Sequence, residues 1–290
     1  MALQQQKFDF YDEESIIPCK PFVKWAGGKR QLIDKLKEKM PQSQDYRTYF
    51  EPFLGGGALF FAVQHKPSIL LDINEELINA YKIIKNDVES LIKDLQQHEN
   101  NKEYFYNIRR VDRTEEFATW SDIRRASRFI YLNKTAFNGL WRVNSKGQHN
   151  VPFGKYKNPK ICDEKNLRVC SQVLSTVKVL RTGNYLEIEG MAQKDDFVYF
   201  DPPYHPLTET ANFTSYAKDG FSGDDQIKLK ELIDRLTAKG IKIMLSNSSA
   251  KLILDLYEKE YNLFLIDANR AINCKSDGRG PVKEVIVTNY

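Results

Sequence analysis

Asp201-Pro202-Pro203-Tyr204 is the densest piece of potential chemistry in this 290-residue chain. The run directly follows the apolar segment Phe197-Val198-Tyr199-Phe200. It therefore falls at the carboxyl end of an expected strand, where open α/β sheets bind ligands. An exocyclic amine on a nucleobase is a poor nucleophile, because its lone pair is delocalised into the ring. The Asp201 carboxylate and the Pro202 carbonyl can each accept one of its N–H groups. That favours a more tetrahedral nitrogen and frees the lone pair to attack an electrophile. Pro202 and Pro203 fix φ and have no N–H, so the carbonyl is held in place. Tyr204 offers a stacking face to the base. The plainer alternative is a proline-rich turn with Asp201 as an ordinary turn residue.

Two further segments suit a second ligand. In Phe50-Glu51-Pro52-Phe53-Leu54-Gly55-Gly56-Gly57 the glycines allow the backbone to approach a ligand closely. The dinucleotide fingerprint G-x-G-x-x-G is not met, since Phe60 stands at its last position. Asp72 ends the next apolar run, fifteen residues past Gly57, and is placed to bind a ribose diol. Helix capping accounts for an acid there equally well. In Pro21-Phe22-Val23-Lys24-Trp25-Ala26-Gly27-Gly28-Lys29-Arg30, Arg30 replaces the Ser or Thr that a phosphate-binding loop needs for magnesium. Trp25 can instead pack on an adenosine or a thioether, while Lys29 meets a carboxylate.

The elements that must position these residues are legible from periodicity. Leu32, Ile33, Leu36 and Met40 share a helical face that Pro41 stops. A strand at 47–53 is broken by the glycines and followed by a helix over 58–64 and a strand over 68–72. Asn74 then caps a helix carrying Leu77, Ile78, Tyr81, Ile84 and Val88. Strand, glycine turn, helix, strand and acid open a nucleotide-binding α/β unit. The pattern resumes after about residue 175, with strands at 177–180, 197–200, 241–245, 263–266 and 284–288 and a helix at 224–238. Between them, helical pieces at 102–110 and 121–136 precede a hairpin signal, 140–144 and 148–151 around Gly147. The expectation is an extension at 1–20, then one doubly wound core from 21–85 and 171–290, interrupted by a mostly helical insertion at 86–170.

Composition narrows the partners. Hydrophobic residues make up 41% and charged residues 28%, which excludes disorder as the main state. No apolar run approaches the roughly 18 residues of a membrane helix. The acidic N-terminus has no secretory pattern, so no membrane partner is expected. Four cysteines and four histidines show no zinc-ligand spacing, and the reading is a reducing, cytoplasmic setting with no metal. The net charge is +4, but residues 101–170 hold 15 basic and 7 acidic residues. Within them, 124–160 carries nine basic residues and no acid: Arg124, Arg125, Arg128, Lys134, Arg142, Lys146, Lys155, Lys157 and Lys160. Such a run suits a polyanion. The alternative is a solvated face whose acids lie elsewhere in the fold.

Taken in order, these motifs closely resemble the Dam-type DNA adenine-N6 methyltransferases, including those paired with restriction enzymes cutting GATC. The likeness spans about 21–290. It includes Lys24-Trp25-Ala26-Gly27-Gly28-Lys29, the segment 50–57, Asp72-Ile73-Asn74, Phe137-Asn138-Gly139-Leu140, Arg142, Asn150-Val151-Pro152-Phe153-Gly154-Lys155-Tyr156, Asp201–Tyr204 and the ending Val285-Ile286-Val287-Thr288-Asn289-Tyr290. The resemblance implies a Rossmann-like methyltransferase sheet and S-adenosylmethionine as methyl donor. Trp25, Lys29, Phe53, Gly55, Gly57, Asp72, Asn184, Tyr185 and Asp201 would contact the donor. Asn184-Tyr185 stands where relatives often have Asp-Phe, and its amide still accepts from an exocyclic amine. Asp201, Pro202, Pro203 and Tyr204 would hold an adenine flipped out of double-stranded DNA.

The resemblance also implies that Lys24 reads the first guanine of the site. Leu140, Arg142 and Pro152 would meet the inner base pairs, and Phe137 and Asn138 would fill space between base pairs, although core packing explains Phe137 as well. Lys155 and Tyr156 would hold phosphate, where Arg124 and the remaining cations are also expected. Arg142 suits guanine O6 and N7 on its own chemistry. No metal is needed for displacement from a sulfonium, and His205 reads as a neighbour of the motif. The expected reaction is N6 methylation of adenine in GATC, with a cognate restriction endonuclease as a candidate partner. The rival readings are another DNA site, cytosine N4, RNA adenine or an inactive DNA-binding regulator. Asp rather than Ser at 201 favours adenine.

Overall fold

Residues 16–207, 221–269 and 281–290 are described by a computed structural model of the chain. Residues 1–15 of the expected extension and Cys274 lie outside them. Seven strands, β1 (Tyr49–Glu51), β2 (Ser68–Asp72), β3 (Val179–Thr182), β4 (Phe197–Phe200), β5 (Lys242–Ser248), β6 (Asn262–Asn269) and β7 (Pro281–Thr288), form one sheet in the order β3-β2-β1-β4-β5-β7-β6. The first five run parallel, and β7 enters antiparallel between β5 and β6. Strand order reverses at β1, with β2 on one side and β4 on the other. The carboxyl ends of β1 and β4 therefore flank the crevice where such sheets bind ligands. Gly55 follows one of them and Asp201 the other.

Strand alternation divides the core into two layers. Phe197 and Tyr199 of β4 face a layer shared with α1 (Ile33–Lys39), α2 (Ala58–Val63), α3 (Glu75–Asn86), α4 (Val88–Leu95), α6 (Asp122–Thr135) and α7 (Glu164–Ser175). Val198 and Phe200 face the other layer, closed by α8 (Gly223–Ala238) and α9 (Lys251–Tyr257). Being covered on both faces is why β4 reads as a continuous apolar run. A third, smaller cluster joins Phe105 of α5 (Lys102–Arg110) to Tyr131, Leu132, Ala136 and Val151. The helices between 86 and 170 thus share the sheet's own core through Leu91, Phe129 and Leu167, and the smaller cluster extends from them.

Local signals explain most boundaries. Asn74 caps α3 by accepting from Leu77 N–H at 3.0 Å. The periodicity that carried this helix to Val88 is cut at Asp87, whose side chain caps α4 instead. Helices α4, α7 and α9 were not separated out by periodicity. The hairpin signal at 140–151 is a turn with one isolated bridge, Val143 to His149, rather than two regular strands. Asn144 Oδ1 accepts from both Lys146 N and Gln148 N, a local bonding pattern that competes with a ladder. Among the described residues no helix is long and apolar enough to cross a membrane, and no group of His, Cys, Asp and Glu could hold a metal ion.

Candidate active site and nucleic-acid interface

At the end of β4 a buried cation meets the motif. Lys29 is 4% exposed, with its Nζ 2.6 Å from Asp201 Oδ1 and donating to the Gly27 carbonyl at 2.6 Å. The same ammonium lies 4.6 Å over the Tyr204 ring. Burial lifts the Asp201 carboxyl above its usual range, and Lys29 opposes that rise. Pro202 is buried. The Pro203 carbonyl accepts from Gln226 Nε2 at 3.0 Å, Asn247 Nδ2 donates to Gln226 Oε1 at 3.0 Å, and His205 N–H donates to Asn247 Oδ1 at 3.2 Å. These bonds tie the motif to α8 and β5. The Tyr204 hydroxyl donates to Glu284 Oε2 at 2.7 Å, which reaches in from β7.

Glu51, at the end of β1, is buried and accepts the Tyr49 hydroxyl at 2.7 Å. Burial pushes its carboxyl up to about 8, against the Tyr49 hydrogen bond and with Asp201 adding to the rise. Glu51, Gln226, Asn247 and Glu284 were missed by sequence reasoning. Only Glu51 carried a local signal, its place in the glycine segment.

On the β1–β2 side lies a cleft of about 270 Å³ lined by Pro52, Phe53, Asp72, Ile73, Gly183, Asn184, Tyr185, Phe221 and Asp225. It brings together Phe53, Asp72, Asn184 and Tyr185 from the expected donor set. Phe53 stacks on Tyr185 with ring centroids 5.1 Å apart. Ile73 stands 73% exposed at its edge. Asp72 accepts from Gly55 N–H at 2.8 Å on one oxygen and from Asn74 N–H at 2.9 Å on the other. Burial raises its carboxyl, and those backbone donors oppose the rise. The Asn184 side chain caps the short 3₁₀ helix Tyr185–Gly190 by accepting from Leu186 N–H.

Trp25 and Lys29 do not line that cleft. Trp25 lies on the glycine loop: a Cβ on Gly55 would come within 2.6 Å of its ring. Gly55 and Gly57 have φ of +49° and +64°, where a side chain is strained, and a Cβ on Gly57 would meet the Tyr81 hydroxyl.

The residues expected at DNA also converge. Asn133, fully buried, accepts from Lys24 N–H at 2.8 Å and donates to the carbonyls of Lys24 at 2.7 Å and Gly139 at 2.9 Å. The Lys24 stem runs over Gly139, whose φ is +65°, and its ammonium lies 4.8 Å over the Tyr156 ring. Phe137 is 46% exposed, its N–H donates to the Pro152 carbonyl, and Asn138 holds φ +55°. Leu140 is half-buried, and Pro152 and Lys155 are exposed. Arg142 is exposed, with its Nε donating to Asn150 Oδ1 at 2.6 Å.

The acid-free run does not form one bare cationic face. Arg124 stacks 3.7 Å over Trp120 and lies 3.5 Å from Glu116, so this residue has protein partners of its own. Arg125 pairs with Glu76, Lys160 with Asp163 and the 2% exposed Arg128 with Asp112. These carboxylates come from outside 124–160, as the solvated-face alternative required. Arg142, Lys146, Lys155 and Lys157 are exposed and have no carboxylate within 4.0 Å among the described residues. Burial lowers the Lys134 ammonium to about 8.

Comparison with known proteins gives these features a context. The family model of the D12 class N6 adenine-specific DNA methyltransferases matches residues 25–272. The chain is 45% identical over 282 residues to the Type II methyltransferase M1.LlaDCHI of Lactococcus lactis subsp. cremoris, covering 96% of this chain and 98% of that protein. It is 43% identical to the Type II methyltransferase M.MjaIII of Methanocaldococcus jannaschii, covering 93% and 99%. It is 36% identical to a DNA adenine methylase of Vibrio cholerae serotype O1, covering 91% and 94%.

Proposed function

Because the chain belongs to the D12 class N6 adenine-specific DNA methyltransferases, we propose that it methylates the adenine of double-stranded GATC, with S-adenosylmethionine as donor. The observation that carries the reading is Asp201–Tyr204 at the sheet's switch point, with a buried lysine on its carboxylate and an aromatic-walled cleft beside it.

The cleft fits an adenosine. Phe53, Ile73 and Tyr185 offer apolar surface to a purine, and Asn184 sits at the edge for its amine. Asp72 keeps acceptor capacity for a ribose diol, since a carboxylate has about four lone-pair sites and its backbone donors do not use them all. Gly55 and Gly57 hold the donor loop beside that cleft, where the absence of a Cβ lets Gly55 pack on Trp25 and Gly57 on Tyr81. The donor, when bound, supplies a methyl group activated on a sulfonium. Asp201 and the Pro202 carbonyl would accept hydrogen bonds from the two N6 hydrogens of a flipped adenine, leaving its lone pair free for in-line displacement of a methyl group from sulfur, and the methylated amine then gives up one proton to water. Lys29 fixes Asp201 from one oxygen and leaves the other for the amine. Tyr204 stacks on the base, and Pro203 keeps the turn rigid.

Residues 86–170 act with Lys24 as the recognition surface. Lys24 reads the outer guanine. Arg142 presents its terminal nitrogens to the inner guanine, its Nε being held by Asn150, with Leu140 and Pro152 as apolar neighbours. Phe137 and Asn138 occupy the space left in the stack, while Lys155 and Tyr156 hold phosphate. The enzyme works in the cytoplasm on the cell's DNA, and the type II names of two relatives favour a restriction endonuclease of the same site as its counterpart. The test is plasmid from a methylation-free host that expresses the chain. It should resist a nuclease that cuts only unmethylated GATC, and complete cutting in the presence of soluble protein refutes the site assignment.

A further inference from the structure

Tyr204 is held from two directions, and one of the holders has no role in the reading so far. Glu284 lies on β7, opposite Ser248 of β5 and Ile266 of β6. Its strand neighbours Val285 and Val287 point into the α8–α9 layer. Glu284 shares the other face with Ile286, which packs in the layer of Phe197 and Tyr199. That alternation aims a carboxylate from an antiparallel strand at the end of β4. There its Oε2 accepts the Tyr204 hydroxyl at 2.7 Å.

The geometry around the ring is asymmetric. The Lys29 ammonium sits 4.6 Å over Tyr204, so a stacking base takes the opposite face. An aromatic ring can swing about its side-chain torsions, and a base stacked on a swinging ring is not held for in-line attack. The bond to Glu284 fastens the far end of the ring, eighty residues away in sequence. Lys29 and the backbone turn fasten the near end.

We propose that Glu284 is a positioning residue for the target base, acting through Tyr204. It fixes the plane on which the flipped adenine stacks and so sets the N6 atom relative to Asp201 and the Pro202 carbonyl. The bond matters through its acceptor, not through the charge of Glu284. The inference rests on Tyr204 stacking against the target adenine, as argued above.

The experiment is a double-mutant cycle on the full-length enzyme. E284A, E284Q, Y204F and E284A/Y204F are compared by single-turnover methylation. Base extrusion is read from the fluorescence of a GATC duplex with 2-aminopurine in place of the target adenine. E284A and Y204F should each lower the methylation rate constant by about tenfold or more, the scale of a lost orienting contact. Each should weaken the 2-aminopurine signal, with the donor KM changed less than twofold. The double variant should be no slower than the slower single variant, because both singles delete one bond. E284Q keeps an acceptor for the hydroxyl and should recover most of the rate. Y204F removes the same bond from the other side and carries the test should E284A not fold. Multiplicative losses in the double variant overturn the proposal, as does an E284Q as slow as E284A. An unmodified 2-aminopurine response in E284A and Y204F also overturns it. If wild-type enzyme neither methylates an ordinary GATC duplex nor raises the fluorescence of its 2-aminopurine counterpart, the site assignment has failed instead.

Discussion

Asn133→Ala is the substitution whose cost the structure fixes most directly. The side chain is fully buried and serves three backbone groups: the N–H and carbonyl of Lys24 and the carbonyl of Gly139. Alanine leaves all three without their partner. A buried polar group stripped of its partner costs about 1–3 kcal/mol. The Gly139 carbonyl is buried and takes the upper part of that range, whereas the Lys24 groups are only partly buried and recover some water. A total of about 4 kcal/mol follows, a large share of the 5–15 kcal/mol that holds a domain folded. At roughly 2–4 °C per kcal/mol, the melting temperature should drop by on the order of 10 °C. Because Asn133 ties the Lys24 loop to the Phe137–Gly139 turn, the surviving folded enzyme should also discriminate less well at the base pair proposed for Lys24. Thermal unfolding followed by circular dichroism gives the first quantity. Methylation rates on a panel of single-base variants of the site, measured well below the melting transition, give the second. Asn133→Asp is the control, since it keeps an acceptor for Lys24 N–H but sets a carboxylate against two carbonyls, and it should be at least as damaging. A melting temperature within about 3 °C of wild type, with discrimination unchanged, would refute the account.

Asp201→Ala should lower the methylation rate on the order of 10² or more, as loss of a preorganised acceptor does, and purified variant assayed on duplex DNA checks it. Arg142→Ala should cut preference for GATC over sites altered at one guanine-bearing pair by about 5- to 150-fold, equivalent to 1–3 kcal/mol, while a uniform loss over all variant sites would make it a phosphate contact. Lys155→Ala should weaken cognate and non-cognate DNA alike and flatten the slope of log K against log salt by about 0.9, and an unchanged slope would place it off the backbone. His98 is held neutral, its pKa brought down to about 4 by burial despite Asp94 beside it. With a folded value below the unfolded one of about 6.5, its contribution is present above that pH and is lost as pH falls towards 4. Urea unfolding at several pH values should show stability declining across that window, and His98→Gln should flatten the decline.

What the sequence disclosed and what it withheld divide along a physical line. Asp201–Tyr204 was legible because strand, turn and chemistry lie within eight consecutive residues, and Gly55, Asp72 and Asn74 because one strand–helix–strand unit contains them all. The fold class followed from the same local periodicity. The hairpin is shorter than the alternation around Gly147 suggested, one antiparallel bridge with two cross-strand backbone bonds, because Asn144 Oδ1 takes two of the turn's N–H groups. The acid-free stretch overstated its free charge for a different reason. Glu116 and Asp163 pair with Arg124 and Lys160 from just outside the stretch, while Glu76 and Asp112 neutralise Arg125 and Arg128 from elements that the fold brings near. The largest omissions are of that kind too. Asn133 meets Lys24 across 109 residues and Glu284 meets Tyr204 across 80, and no spacing rule links either pair. The side chains proposed to do the chemistry here stand at short spacing, so they leave a local mark. Side chains that hold them need only one good hydrogen bond, which any distant element can supply. Variants at Asn133 and Glu284 therefore separate how the site is held from what it does, whereas variants at Asp201 report both at once.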